Sequence, residues 1–303
     1  MATKPPSPPV LRLFRTVLPL LLSALATNWC LAANPIYDAL IGPGVKVSAE
    51  ETLQLPKPAL DDGLAPAQQR QVIEVLLAGR YDWDTFTRKS VVSPFVLKIS
   101  EGAAESGPII RRVDLYLVAF GSFDSLRSED YLTKQLNLAA GNDQSDTSGK
   151  AKLLTVDDMR KRNIAADKKP GDPRWMSVTS TLLGKVRISL TTQNIRTEGK
   201  DSILIASIAD PRFVKDAEYP NSWQSLTVDD TGKRQTGPPE PYAGLGSYAK
   251  ATKLAEPAGA IFMEYHVAFV EPQGWFHGTN LLRSKLPIVA QEMVRKFRRN
   301  LGE

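Results

Sequence analysis

Alternation of apolar and polar positions predicts β-strands over much of the chain after residue 90. In the segment 109–120, Leu115 falls on one side and Tyr116 on the other, following the two-residue period of a strand. Similar runs predict strands at 90–99, 176–197, 203–209, 223–228, 233–236, 248–254 and 260–270. Pro94 interrupts the first of these runs, which indicates an edge strand or a bulge. From residue 175 onward the pattern is typical of an antiparallel sheet.

Apolar residues at helical spacing predict helices towards both ends of the chain. One begins at Pro66, because proline is favoured at the first helical position, and it ends at Gly79. The other covers residues 281–301, and Pro287 either starts it or kinks it. The apolar face of this last helix consists of Leu282, Leu286, Val289, Met293 and Phe297. Shorter helices are predicted at 128–140 and at 155–163, where Thr155 and Asp158 form a capping box.

These elements predict one α+β domain over residues 67–303, in which an antiparallel sheet packs against the closing helix. Residues 34–66 are rich in proline and glycine and show no periodic segment. They are predicted to be a lead-in that either tethers the domain or lies over its surface as an arm. The proline-rich stretch 237–241 is expected to break the sheet.

Residues 1–33 have the composition of a cleavable secretory signal: a basic start, an apolar run at 17–26 and small residues at 32–33. A membrane anchor is the alternative, but a span takes about 20 predominantly apolar residues, and polar residues interrupt this run. Lipid attachment at Cys30 is disfavoured because the bulky Trp29 precedes it. We therefore expect an exported protein, located in the periplasm or outside the cell.

Removal of the signal changes what the composition implies. Cys30 is the only cysteine, so the mature chain has no thiol for a disulfide, for catalysis or for a metal. Lys4, Arg12 and Arg15 also leave, and the formal net charge falls from +5 to about +2. A net charge this small does not support a nucleic-acid partner. No motif predicts a cofactor.

The chain has two histidines, His266 and His277, and both are candidates for chemistry. His266 shares one side of the strand 260–270 with Glu264, while the other side is apolar without interruption. Because the apolar side is expected to face the core, Glu264 and His266 are expected to form a cross-strand pair on the surface. An enzyme that uses these groups is the least favoured interpretation, and no catalytic residue is assigned. Two histidines are also too few for a zinc site, so no metal ligand is assigned.

Aromatic side chains lie in the loop before the last helix, where Trp275 and Phe276 precede His277. Such a loop can gate a pocket at the end of a sheet. The alternative, which is favoured, is that the two aromatic rings plug the end of the core.

The last turns of the final helix are basic, with Arg295, Lys296, Arg298 and Arg299. Cations are favourable at a helix C-terminus without any ligand. They would also support a weak contact with an anionic membrane surface, at about 1 kcal/mol for each basic residue.

The order of these elements resembles the helix-grip fold of START-like and polyketide-cyclase-like lipid-transfer domains, and the chain also resembles exported bacterial proteins of unknown function. The segments that carry the resemblance are 248–254, 260–270, the Trp275-Phe276 loop and the helix 281–301. It implies a curved antiparallel sheet that grips the C-terminal helix, with an apolar ligand between them. The residues expected to contact that ligand are Met263, Tyr265, Val267, Phe269, Trp275, Phe276, Met293 and Phe297.

We therefore expect an exported, non-enzymatic module that binds an apolar or amphipathic, lipid-like small molecule between its sheet and its last helix. The alternative is an envelope structural or interaction protein whose core is filled by its own side chains and which binds no ligand.

Overall fold

The structure is a computed structural model that describes residues 34–47, 52–102, 109–128, 150–166, 171–272, 275–276 and 281–302. The predicted signal, most of the predicted helix 128–140 and His277 lie outside the described residues. None of the helices in the described part of the chain is long and apolar enough to span a membrane.

In the described residues the helices are α1 (Pro35–Ile41), α2 (Pro66–Leu77), α3 (Trp83–Phe86), α4 (Val156–Arg160) and α5 (Leu281–Gly302). The strands are β1 (Val45–Lys46), β2 (Thr52–Leu53), β3 (Phe95–Gly102), β4 (Ile109–Phe120), β5 (Lys150–Leu153), β6 (Arg174–Leu182), β7 (Val186–Glu198), β8 (Ser202–Ala209), β9 (Ser222–Val228), β10 (Arg234–Thr236), β11 (Glu240–Pro241), β12 (Leu245–Lys253) and β13 (Ala260–Glu271).

Eleven of these strands form one antiparallel sheet, and β1 and β2 form a separate ribbon. The main order is β5-β6-β7-β8-β12-β13-β4-β3. β9 pairs with the first half of β7, and β10 and β11 pair with β9. Within the described residues β3 pairs only with β4 and β5 only with β6, so the sheet is open. The predicted α+β architecture, an antiparallel sheet with a C-terminal helix, is confirmed.

Strand predictions succeed where the alternation continues without a turn. β4 has the predicted bounds, and β13 extends one residue beyond the predicted strand. β3 begins directly after Pro94 and is the edge strand that this proline indicates. The alternating segment 176–197 forms two strands, β6 and β7, joined by a turn at Leu183 and Gly184, where φ is 53° and 66°.

The helix predictions hold for the two main helices. α2 begins at Pro66, and its last residue is followed by Ala78 and Gly79 in left-handed conformations. α4 is opened by the predicted capping box but is shorter than expected. Pro287 lies inside α5, so the alternative that it starts the helix is wrong.

The sheet is covered on both sides. α5 packs on one side, against residues such as Leu115, Ile205 and Met263. The N-terminal part of the chain packs on the other, where it covers Tyr116 and Tyr248 among others. Alternate residues of the central strands therefore enter two different cores.

The predicted lead-in lies over this second side of the sheet, which is the second of its two predicted alternatives. It contains short regular elements without a periodic sequence signal: β1, β2 and α1, which is capped by the Asn34 side chain and buries Ile36 and Leu40. Residues 52–64 continue across the sheet, and Leu53, Leu55 and Leu60 are buried in it. We call residues 52–64 the arm.

Candidate functional site

An apolar cavity of about 90 Å³ lies between α5 and the sheet. Its wall is formed by side chains of β3, β4, β6, β7, β12 and β13 and by one side of α5, including Leu282, Val289 and Ala290. Almost all of these side chains are apolar. The cavity therefore lies where the sequence predicts a ligand, between the sheet and the last helix.

Five of the eight residues expected to contact a ligand line this cavity, and three do not. The lining residues are Tyr265, Val267, Phe269, Trp275 and Met293. Met263 and Phe297 pack farther along the same core, and Phe276 is buried against Trp275.

Trp275 occupies the end of the core next to the cavity. Its ring packs against Phe269, Tyr242 and Trp223, with centroid distances of 6.3, 5.2 and 6.3 Å. Trp275 and Phe276 are both buried, so these aromatic rings plug the core as the favoured interpretation predicts. Because Trp275 also lines the cavity, closing the core and bordering a pocket are not exclusive roles.

The cavity wall carries a polar group without a partner in the described part of the chain. The indole N–H of Trp275 is buried and has no hydrogen-bond partner among the described residues. A buried donor without an acceptor costs about 1–3 kcal/mol. Tyr265 lines the same cavity, and burial raises the pKa of its hydroxyl, which therefore stays protonated. Both groups can donate to an acceptor placed in the cavity.

A larger and more open groove of about 910 Å³ lies beside the cavity, between the edge strand β3, residues 80–94 and the flank of α5. Arg80, Arg283, Arg295 and Arg298 line it, and we call it the arginine groove. Leu97 belongs to the walls of both the cavity and the groove. Sequence reasoning misses this groove, although the edge position of β3 and the arginines of α5 are each visible in the sequence.

Arg298 is held inside the protein, not at its surface. It is buried, and its guanidinium donates to the carbonyl oxygens of Val118 (2.8 Å), Pro94 (2.9 Å) and Ser93. Burial lowers its pKa to about 10. The predicted contact with a membrane surface would therefore have to use the other three basic residues of this set.

A cluster of ionisable side chains lies on the opposite side of the sheet, beneath the arm. His266 Nδ1 is 2.7 Å from Asp114 Oδ1, and Nε2 is 3.7 Å from Glu264 Oε2. The imidazole stacks on Tyr248 at 4.5 Å and meets the edge of Tyr116 at 5.3 Å. Glu264 and His266 are completely buried, so the expectation that they form a surface pair is wrong. They do point away from α5, but the arm covers them.

Glu264 binds the backbone of the arm. Its carboxylate accepts hydrogen bonds from the N–H of Ala59 (2.6 Å) and the N–H of Leu60 (3.2 Å). Backbone groups in an irregular segment have no secondary-structure partners, so they need such side-chain acceptors when they are buried. The carboxylate is thus engaged in holding the arm.

Further polar side chains fasten the same segment. Lys250 donates to the carbonyl oxygen of Leu60 at 2.6 Å and lies 2.9 Å from Asp62 Oδ1. The Tyr248 hydroxyl donates to the carbonyl oxygen of Pro56 at 2.7 Å. The arm is therefore fixed to β12 and β13 by hydrogen bonds as well as by its leucines.

The charge state of this cluster follows from its contacts. Burial opposes the charged imidazolium, but the hydrogen bond to Asp114 and the nearby Glu264 carboxylate outweigh it and raise the pKa of His266 above 6.5. Burial and the same carboxylates also raise the pKa of the Tyr248 hydroxyl. The cavity and the groove do not include Asp114, Glu264 or His266. The geometry is that of a buried salt-bridge network that closes the arm onto the sheet.

The register of the sheet creates this cluster. Asp114 of β4 lies directly opposite His266 of β13, and Tyr248 of β12 lies opposite His266 on the other side. Each residue is visible in the sequence on the side of its strand that faces away from α5, but their contact depends on the strand order. No group of histidine, aspartate and glutamate side chains in the described part of the chain has an arrangement that could hold a metal ion.

The chain was compared with models of protein families and with curated proteins. No family model and no curated protein matches it.

Proposed function

We propose that this protein binds an apolar or amphipathic small molecule between its sheet and α5. The observation that carries the proposal is the apolar cavity of about 90 Å³, on whose wall the Trp275 indole N–H has no hydrogen-bond partner among the described residues. An apolar site with a few polar groups is typical of ligand pockets. A ligand with an apolar group and an oxygen acceptor would satisfy both features.

The volume limits what the cavity can take. Pockets that enclose a drug-sized ligand have about 300–1,000 Å³, so a space of 90 Å³ suits a small apolar group or the end of a chain. An empty apolar cavity of this size costs roughly 2 kcal/mol of stability, at about 24 cal/mol for each Å³. A bound apolar group would recover part of that free energy. The rest of a larger ligand would lie outside, next to Leu97.

The finer description of the fold belongs to the same proposal. We propose a helix-grip arrangement with a curved sheet, supported by the antiparallel order of β8, β12, β13 and β4 and by the packing of α5 on one side of them.

We also propose that residues 1–33 direct export to the periplasm or the cell exterior. A weak contact of Arg295, Lys296 and Arg299 with an anionic membrane surface would fit such a location.

The small volume favours a second candidate, an envelope structural or interaction protein that binds no ligand. In that case Trp275 and Phe276 close the core, and the remaining space is a packing defect. Some voids larger than a water molecule occur in most domains, so the two candidates differ in whether the cavity takes up a ligand.

The test is binding of 1-hexanol, monitored by the methyl NMR signals of Val267 and Val289, both of which line the cavity. The proposal predicts saturable shifts of these signals. The variant Ala290→Leu, which fills the cavity, should weaken binding by about tenfold or more. Glu292→Leu adds an apolar group on the exposed side of α5 and should leave binding unchanged.

Two results would count against ligand binding in the cavity. One is the absence of saturable shifts up to the solubility limit of hexanol. The other is equal binding by the wild type and the Ala290→Leu variant. Either outcome would favour the second candidate function, an envelope structural or interaction protein that binds no ligand.

A further inference from the structure

The arginine groove has an unusual charge composition. Arg80, Arg283, Arg295 and Arg298 all line it, and none of the described residues on its wall is an aspartate or glutamate. In the described residues no carboxylate forms an ion pair with any of the four. Arg80 and Arg283 are exposed, and Arg295 is half-buried, so their guanidinium groups remain available.

Arg298 adds a buried positive charge to the exposed arginines of the groove. Its guanidinium is held by backbone carbonyl oxygens, which satisfy its hydrogen bonds but leave its charge uncompensated. A buried charge is screened by water much less than an exposed one. An anion in the groove would therefore meet a buried cation together with the surrounding arginines.

The floor of the groove is apolar. β3 contributes Phe95, Leu97 and Ile99, all half-buried, and α5 contributes Val294 and the exposed Ile288. Exposed apolar residues that are grouped and bordered by polar ones mark interaction sites. The volume of about 910 Å³ lies within the range of ligand pockets, in contrast to the neighbouring cavity.

We propose that the arginine groove binds an anionic amphiphile, with the carboxylate or phosphate group on the arginines and the alkyl chain on the apolar floor. This inference rests on the proposed function and names its ligand class. Arginine suits such a ligand because its planar fork of N–H donors matches the oxygens of carboxylates and phosphates. Since Leu97 borders both spaces, the end of the alkyl chain can enter the cavity under α5.

The experiment compares octanoate with 1-octanol, which has the same chain without the charge, by isothermal titration calorimetry on the full mature chain. The wild type should bind octanoate about tenfold or more tightly than 1-octanol, because charge-assisted hydrogen bonds are the stronger ones. The triple variant Arg80→Gln, Arg283→Gln, Arg295→Gln should lose this preference. Its affinity for 1-octanol should stay within about twofold of the wild type, since the apolar floor is intact.

A second triple variant controls for net charge. Arg187→Gln, Lys233→Gln and Arg234→Gln remove the same number of charges from exposed positions on β7 and around β10, at the other end of the sheet. This variant should keep the preference for octanoate. A loss of the preference in both triple variants would show a general charge effect and overturn the proposal.

The remaining outcomes separate the inference from the proposed function. If octanoate and 1-octanol bind equally to the wild type, the proposed anionic ligand class is wrong. The proposal that the sheet and α5 bind an apolar ligand would still stand. If neither binds, both are wrong. If the groove variant loses binding to phosphatidylglycerol vesicles while the wild type shows no preference for octanoate, the groove is a membrane-docking surface and the proposal is overturned.

Discussion

The two sides of β13 are covered in different ways, and the side chains beneath each cover differ accordingly. Towards α5 the strand presents Met263, Tyr265 and Val267, and the space there contains an apolar cavity. Towards the arm it presents Glu264 and His266, which belong to a buried network of hydrogen bonds and charges. One strand thus contributes to an incompletely filled apolar core and to a polar one.

The difference follows from the backbone of each cover. A helix satisfies its own N–H and C=O groups, so the sheet beneath it can be entirely apolar. An irregular segment brings unpaired backbone groups into the interior, and the sheet must supply acceptors and donors. Glu264 and Lys250 do this for the N–H of Ala59 and the N–H and C=O of Leu60.

The largest expected effect is on the arm side. Glu264→Ala removes the acceptor of one buried and one half-buried N–H group and one of the carboxylates near His266. We expect a loss of about 3–5 kcal/mol in the free energy of unfolding, measured by urea denaturation. Asp62→Ala is the control, because its side chain is 59% exposed, and it should cost at most about 1 kcal/mol. A similar loss for both variants would contradict a special role of Glu264.

The same substitution on the two sides tests the difference in packing. Ala290 lines the cavity under α5, while Ala268 is 1% exposed and packs under the N-terminal cover. Ala268→Leu should destabilise the protein by about 1–3 kcal/mol through overpacking. Ala290→Leu should change stability by less than about 1 kcal/mol, in the stabilising direction, because it fills existing space. Equal losses in thermal or urea unfolding would mean that the cavity side has no usable space.

The smallest expected effect is the pH dependence contributed by His266. Its folded pKa is raised above 6.5, so the stability it contributes is complete below about pH 6.5 and is lost as the pH rises through the folded pKa. The slope for one proton is at most about 1.4 kcal/mol per pH unit. Urea denaturation at increasing pH above about 6.5 should show the decline in the wild type. The His266→Asn variant should lack it, and an unchanged slope in that variant would assign the titration to another group.

Much of the fold is predictable because it depends on local periodicity. β4, β13 and α5 show their periods over eleven residues or more, so few alternatives fit them. The turn at Leu183 and Gly184 lies inside a continuous alternating run, and the pattern on either side does not reveal it. α1 is too short for a periodic signal, and its stability comes from burial of Ile36 and Leu40.

The candidate site is predictable only in part. The alternation in β13 places Tyr265, Val267 and Phe269 towards α5, and they do line the cavity. Met263 and Phe297 share those faces but lie farther along the core, because position along an interface depends on how α5 crosses the sheet. The arginine groove brings together Arg80 and Arg283, which are remote in sequence, so no local pattern could join them.

The sequence by itself determined which residues share a strand face or a helix face, since these follow from periods of two and about 3.6 residues. Only the tertiary structure decided what each face meets. Strand register placed Asp114 beside His266, and the arm then buried a pair that a one-sided sheet would have left in water. The physical reason is that burial depends on the covering segment, and contacts between distant segments are not encoded in the local pattern of either one.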